Sequence, residues 1–170
     1  GIWRDEAPTM PSERPEEERS TSLIKWKMGL AAIYAEAEDS DWANKLSLEE
    51  AKLAARYANL ELNALPLWVE QLVEKHPLAI DAILGEELTW DLEQYSSNHS
   101  SSLLLQSIGS APEPVAKLFV PRLLVWLGSY ETTIVDEGNF VRRSERLQQV
   151  LGFLLVNGEE NTRNYILAGE

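Results

Sequence analysis

From Ser20 onward, apolar side chains recur every three or four residues, the spacing that lines one face of an α-helix. Leu23, Trp26, Leu30, Ile33 and Tyr34 form the first such stripe, through "LIKWKMGLAAIYAEA". "SDWANK" interrupts it and Ser47 restarts it. Ser47 and Glu50 have the S-x-x-E spacing of a capping box, in which each side chain accepts the other's free backbone N–H. Leu48, Ala51, Ala55, Ala58 and Leu62 then make an alanine-rich face, predicted to let a neighbouring helix come close. "ALP" (64–66) turns the chain into a short helix with Trp68, Val69, Leu72 and Val73 inward.

Pro77 must end that helix near His76, because proline lacks an N–H and clashes with the preceding turn. A longer helix is predicted from Pro77, with Ile80, Ile83, Leu84, Leu88 and Leu92 inward. Glu86, Glu87 and Asp91 fall outside that stripe and are expected to face water. After a polar loop (95–102) the pattern returns: a shift of 35 positions puts Trp68 on Leu103, Val69 on Leu104, Val73 on Ile108 and Pro77 on Pro112. The same shift puts Ile80 on Val115, Ile83 on Leu118, Leu84 on Phe119, Leu88 on Leu123 and Leu92 on Leu127. A second step of 35 reaches Val150, Phe153 and Leu154 without a proline. A period of this length points to helical hairpins that cover one another's apolar faces by stacking.

A turn-rich connector (128–139) has some β character at Thr132–Val135. The last strong helix starts at Phe140, with Phe140, Ser144, Leu147, Val150, Leu151, Leu154 and Leu155 on one face, and "TRNYILA" starts one more. The expected fold is all-α: a right-handed stack of antiparallel helix pairs, a HEAT-like or TPR-like α-solenoid or superhelical bundle, over residues 20–170 as a single domain. Residues 1–19 differ, with three prolines, six acids and little apolar content. They read as a linker or extended arm, since nothing there offsets the cost of ordering a backbone. Ile2 and Trp3 are the exceptions, able to pack back onto the body. The leading Gly1 and the ending "NYILAGE" suggest a piece excised from a longer chain.

Composition narrows the function. The 28 acids against 15 bases leave a net charge of −13, a surface that repels phosphate backbones and anionic headgroups and favours a basic protein partner. With no cysteine, disulfides, thiolate metal sites and cysteine nucleophiles are excluded, and a reducing cytoplasm is the expected setting. No apolar run reaches the ~18–20 residues of a membrane helix.

No catalytic constellation emerges. His76 and His99 are the only histidines, and neither has a second ligand at helical spacing, so no metal or cofactor is expected. His76 reads as a helix-end residue, where positive charge is favourable. Asn98–His99–Ser100 matches a glycosylation sequon, a frequent chance match. Glu87 and Asp91, four apart, could form an acid–base pair, but catalysis needs burial to separate their pKa values, and a solvated face is the simpler reading. Phosphate loops and serine elbows are missing. Arg142, Arg143 and Arg146 are the only basic cluster, read as an ion-pair face with Asp136, Glu137 or Glu145. Among the tryptophans, Trp26 and Trp68 read as core. Trp90 and Trp126, 36 apart, flank two long stripes and are candidates to line a binding groove.

Residues 46–93 carry an alanine-rich helix ending "LELNALP", then "W" and "HP", then a helix ending "EELTWDLE". This resembles helical-repeat segments of very large bacterial multidomain proteins, among them NACHT/STAND-type signalling ATPases. The resemblance implies a solenoid segment that senses a partner or scaffolds an assembly; without a phosphate loop, the ATPase role does not carry over. The sequence therefore leads to a non-catalytic protein–protein interaction or scaffold module of a larger cytoplasmic protein, with Trp90, Trp126, Glu86, Glu87 and Asp91 as candidate partner-binding residues. The alternative is a helical ligand-binding or enzyme domain using acidic residues in a pocket.

Overall fold

The computed structural model of the chain describes residues 1–61, 63–94, 101–130 and 137–169. The described residues are helical, with no strand among them. The chain divides into two compact units, Gly1–Glu87 and Leu88–Glu170, rather than an arm and one domain.

In the first unit, α1 (Ile2–Asp5) and two 3₁₀ turns (Pro11–Glu13, Glu16–Glu18) precede α2 (Ile24–Glu36). A 3₁₀ turn (Ala43–Lys45), α3 (Leu48–Ala58) and α4 (Val69–Lys75) follow. Helix α3 is the hub, packed against α1, α2, α4 and the helix after Pro77. Its capping box forms as the sequence predicts: the Glu50 N–H donates to Ser47 Oγ (3.2 Å) and the Ser47 N–H to Glu50 Oε2 (2.9 Å). Its buried face is Ala51, Ala54, Ala55, Tyr57 and Ala58, whereas Leu48, at the first helical position, is about half exposed; Leu62 lies outside the described residues. Small side chains bring α2 near, and Gly29 completes the approach: a Cβ there would lie 2.5 Å from the Tyr57 ring. The buried face of α2 is accordingly Trp26, Gly29 and Ile33, while Leu23 and Tyr34 are exposed.

Helix α4 ends where Pro77 requires, and α5 (Pro77–Ile80) continues through a π-helical turn (Asp81–Gly85) into α6 (Glu86–Leu92). Ile80, Leu84, Leu88 and Leu92, all fully buried, are spaced by fours. In a regular α-helix each four-residue step drifts by about 40° around the axis. The wider π turn reduces that drift in the step from Ile80 to Leu84.

The arm expected over 1–19 is instead part of the first unit. Trp3, Pro8 and Met10 are buried, and Ile2 is exposed. The reason is a cation that composition does not reveal. Arg14 donates to the carbonyls of Thr9 (3.1 Å), Arg19 (2.9 Å) and Thr21 (2.9 Å) and lies over the Trp26 ring at 5.1 Å. One guanidinium with its five donors thus satisfies a backbone that lacks a helix of its own.

In the second unit, α7 (Leu103–Gly109), α8 (Glu113–Leu118) and α9 (Val120–Tyr130) lead to α10 (Glu137–Asn157) and α11 (Glu160–Ala168). Helix α10 is the hub, in contact with α8, α9 and α11. Pro121 has no N–H to give the Lys117 carbonyl, and the helix breaks at Phe119. Val115, Phe119 and Leu123 are buried, as are Ile80, Leu84 and Leu88 at positions 35 earlier; Val150 and Leu154 are buried 35 later. Leu103 breaks the match, being half exposed where Trp68 is buried.

The stripe of α10 corrects the sequence reading. Its buried side chains are Arg143, Arg146, Val150, Phe153 and Leu154, and Phe140 is exposed. Arg143 lies 3.9 Å over the Tyr130 ring and donates to the Tyr130 carbonyl, while Arg146 donates to the Gln94 carbonyl (3.3 Å). These arginines reach helix-end carbonyls that an apolar residue would leave unmet. Of their expected partners Asp136, Glu137 and Glu145, Asp136 and the side chain of Glu137 lie outside the described residues, as do the sequon at 98–100 and the connector at 132–135.

Candidate functional site

Of the five candidate partner-binding residues, two belong to the first unit and three to the second. Glu86 is exposed, as the stripe predicts. Glu87 is not: it is 4% exposed, and its carboxylate accepts the Ser12 N–H (3.0 Å) and hydroxyl (2.5 Å). The N-terminal segment covers a helix face that looked solvated because, beyond Ile2 and Trp3, that segment reads as a linker or extended arm.

In the second unit, Trp90 and Asp91 are half-buried and Trp126 is buried. Trp126 donates from Nε1 to Glu93 Oε1 (2.7 Å) and packs on Tyr130 at 5.7 Å, so its polar handle is used internally rather than at a groove. Asp91 accepts the Ser102 hydroxyl (2.5 Å). Ser102 in turn caps α7 by accepting the Leu105 N–H at 3.0 Å. Glu87 and Asp91 are thus held by serines on different segments. His76 donates from Nε2 to the Ala43 carbonyl (2.9 Å), a tether between α4 and the preceding 3₁₀ turn.

Two features were not anticipated. The first is an aromatic and carboxylate cluster in the first unit. Trp3, Trp42, Trp68 and Tyr34 form a chain of edge-to-face contacts at 5.8–6.4 Å. Glu36, at the end of α2, accepts from Trp3 Nε1 (3.0 Å), Trp42 Nε1 (3.2 Å) and Arg4 Nη1 (2.9 Å). Arg4 Nε also donates to Glu50 (2.6 Å), and its guanidinium lies 4.1 Å over the Trp3 ring. Burial raises the Glu36 carboxyl pKa, but the hydrogen bonds from Arg4, Trp3 and Trp42 outweigh it and hold it below the usual range. The Ser47 N–H and then Arg4 lower Glu50 likewise. In the sequence, Trp3 reads as able to pack back onto the body, but its stretch reads as a linker or extended arm and nothing local ties it to Arg4, Glu36 or Trp42.

The second is a groove of about 270 Å³ in the second unit, lined by Leu105, Gly109, Phe153 and Val156 with Gln106, Gln149 and Asn157 at its polar positions. It contains neither a carboxylate nor a histidine. Among the described residues no group of three His, Asp or Glu is placed to hold a metal ion, and no helix is long and apolar enough to cross a membrane. Comparison with protein-family models, with curated proteins and with solved structures gives no match.

Proposed function

We propose that the chain is a non-catalytic protein–protein interaction module, built from antiparallel helix pairs of the HEAT or TPR kind and belonging to a larger cytoplasmic protein. The observation that carries this reading is helix α11, none of whose residues is buried. Tyr165 and Leu167 on it, and Val156 at the end of α10, are 79%, 55% and 77% exposed. A helix stays helical in water chiefly through the face it packs, and the large side chains left uncovered on either side of Ile166 offer apolar surface to a partner. The recurrence of burial at 35-residue steps supports a hairpin repeat, and the net charge of −13 favours a basic partner. The resemblance of residues 46–93 makes the sensor region of a signalling ATPase the specific setting proposed.

The test is quantitative capture of partners by wild type and by a Tyr165→Ser, Leu167→Ser variant of equal helicity. Loss of a saturable, salt-sensitive partner in the variant is expected. Identical capture by both would remove α11 as the docking face. Charge reversal at Glu86, the exposed one of the three carboxylates, tests the acidic contribution.

A further inference from the structure

We infer that the first unit carries an acceptor for an aromatic–arginine pair on a basic peptide, and that the chain's own Trp3–Arg4 occupies it in cis as a built-in competitor. This rests on the reading of the chain as an interaction module and names one chemistry it recognises.

The occupant resembles a bound ligand more than a part of the scaffold. Helix α1 is a single turn of four residues. It is joined to α2 by a stretch whose only helical structure is two 3₁₀ turns, and residues 20–23 at the end of that stretch are all exposed. Its specific contacts come from the body: Glu36 and Trp42 on Trp3, Glu36 and Glu50 on Arg4. Such an anchor, one buried aromatic ring beside a forked cation on two carboxylates, combines side chains enriched among the residues that carry binding energy at interfaces. Further contacts hold the segment: Tyr57 donates to the Glu6 carbonyl (2.5 Å), Arg56 to the Pro8 carbonyl (3.2 Å) and Ser12 to the buried Glu87 (3.0 Å), while Lys25 pairs with Glu6 and Arg56 with Glu13 (2.8 Å). The ion pairs among these are partly exposed and weakened by salt.

Charge identifies the competing partner. Two carboxylates face one guanidinium at the acceptor, and the turn that presents Arg4 also carries the exposed acid Asp5. The cis occupant therefore leaves negative charge uncompensated. A peptide with a second basic residue in place of Asp5 complements the acceptor better, and the overall charge of the chain steers such a peptide towards it.

The experiment uses the full chain and a fluorescein-labelled peptide of residues 1–5, in its natural sequence and with Asp5→Lys, which makes its side chains net basic. Arg4→Glu in the chain weakens the cis occupant and leaves the acceptor intact. Fluorescence anisotropy is expected to show the peptide binding the Arg4→Glu chain at least tenfold more tightly than wild type, and the Asp5→Lys peptide more tightly again. Adding Glu36→Gln and Glu50→Gln should abolish binding. A folded Arg4→Glu chain that binds no better than wild type overturns the inference. Hydrogen exchange of wild type decides the matter independently of any variant. The Arg4 and Glu13 amides must exchange through an opening that leaves α3 protected, and exchange only together with α3 overturns the proposal. Peptide binding can fail while partner capture through α11 succeeds, and the reverse, so the two readings fail separately.

Discussion

Gln149 holds Ser102 by both backbone groups: its Oε1 accepts the Ser102 N–H at 2.8 Å and its Nε2 donates to the Ser102 carbonyl at 2.8 Å. A side-chain amide has the one donor and one acceptor that this needs. Ser102 is 1% exposed, so water cannot replace either bond. Gln149→Ala is expected to destabilise the chain by about 1–3 kcal/mol. Gln149→Glu should not rescue it at neutral pH, because a carboxylate facing the carbonyl lacks the donor. Urea unfolding midpoints of the two variants provide the check, and a Glu variant as stable as wild type would show that the carbonyl bond contributes nothing.

Gly29 predicts the cost of a single methyl group. A Cβ there would meet the ring of Tyr57 at 2.5 Å. The ring is fully buried, and its hydroxyl is fixed on the Glu6 carbonyl. Gly29→Ala should therefore destabilise by about 1–3 kcal/mol through overpacking, despite the higher helix propensity of alanine. Thermal unfolding would reveal it; a rise in Tm would mean that α2 and α3 can separate at no cost.

Acid should loosen the first unit. Glu13 is held below the usual carboxyl range by Arg56, against partial burial, and Glu36 and Glu50 are depressed as well. An unfolded glutamate titrates near pH 4.3, so just below that value the unfolded chain binds more protons than the folded one. The stability these three contribute is present above that pH and declines as pH falls through their folded values. Denaturant midpoints measured from about pH 6 down to pH 3 should drop, and the drop should be smaller in a Glu13→Gln, Glu50→Gln variant.

Arg14→Lys tests the backbone clamp. A single ammonium cannot reach carbonyls at Thr9, Arg19 and Thr21 together as the planar fork does. Faster amide exchange confined to residues 9–21 is expected, with α3 unchanged. Uniform loss of protection would instead make Arg14 a determinant of the whole unit.

The capping box at Ser47, the corner at Pro77 and the four-spaced leucines were legible because each follows from chemistry within a few residues of itself. What the sequence hid depends on partners far along the chain. Arg143 and Arg146 sit on the buried stripe of α10 because carbonyls at Tyr130 and Gln94 need donors, which no local periodicity reports. Trp126 was legible as an aromatic with a polar handle, but not as one whose handle goes to Glu93. Glu87 looked solvated since helix phasing cannot register a covering segment 75 residues away.

That distance bears on how the first unit is made. During synthesis Ser12 leaves the ribosome 75 residues ahead of Glu87, which receives its N–H and hydroxyl. Contacts of such long sequence separation form late, after loop closure has been met by local structure. The N-terminal segment is thus the first part of the unit to be born and among the last to find its place. Until then its tryptophan and methionine lack the cover that the folded unit gives them.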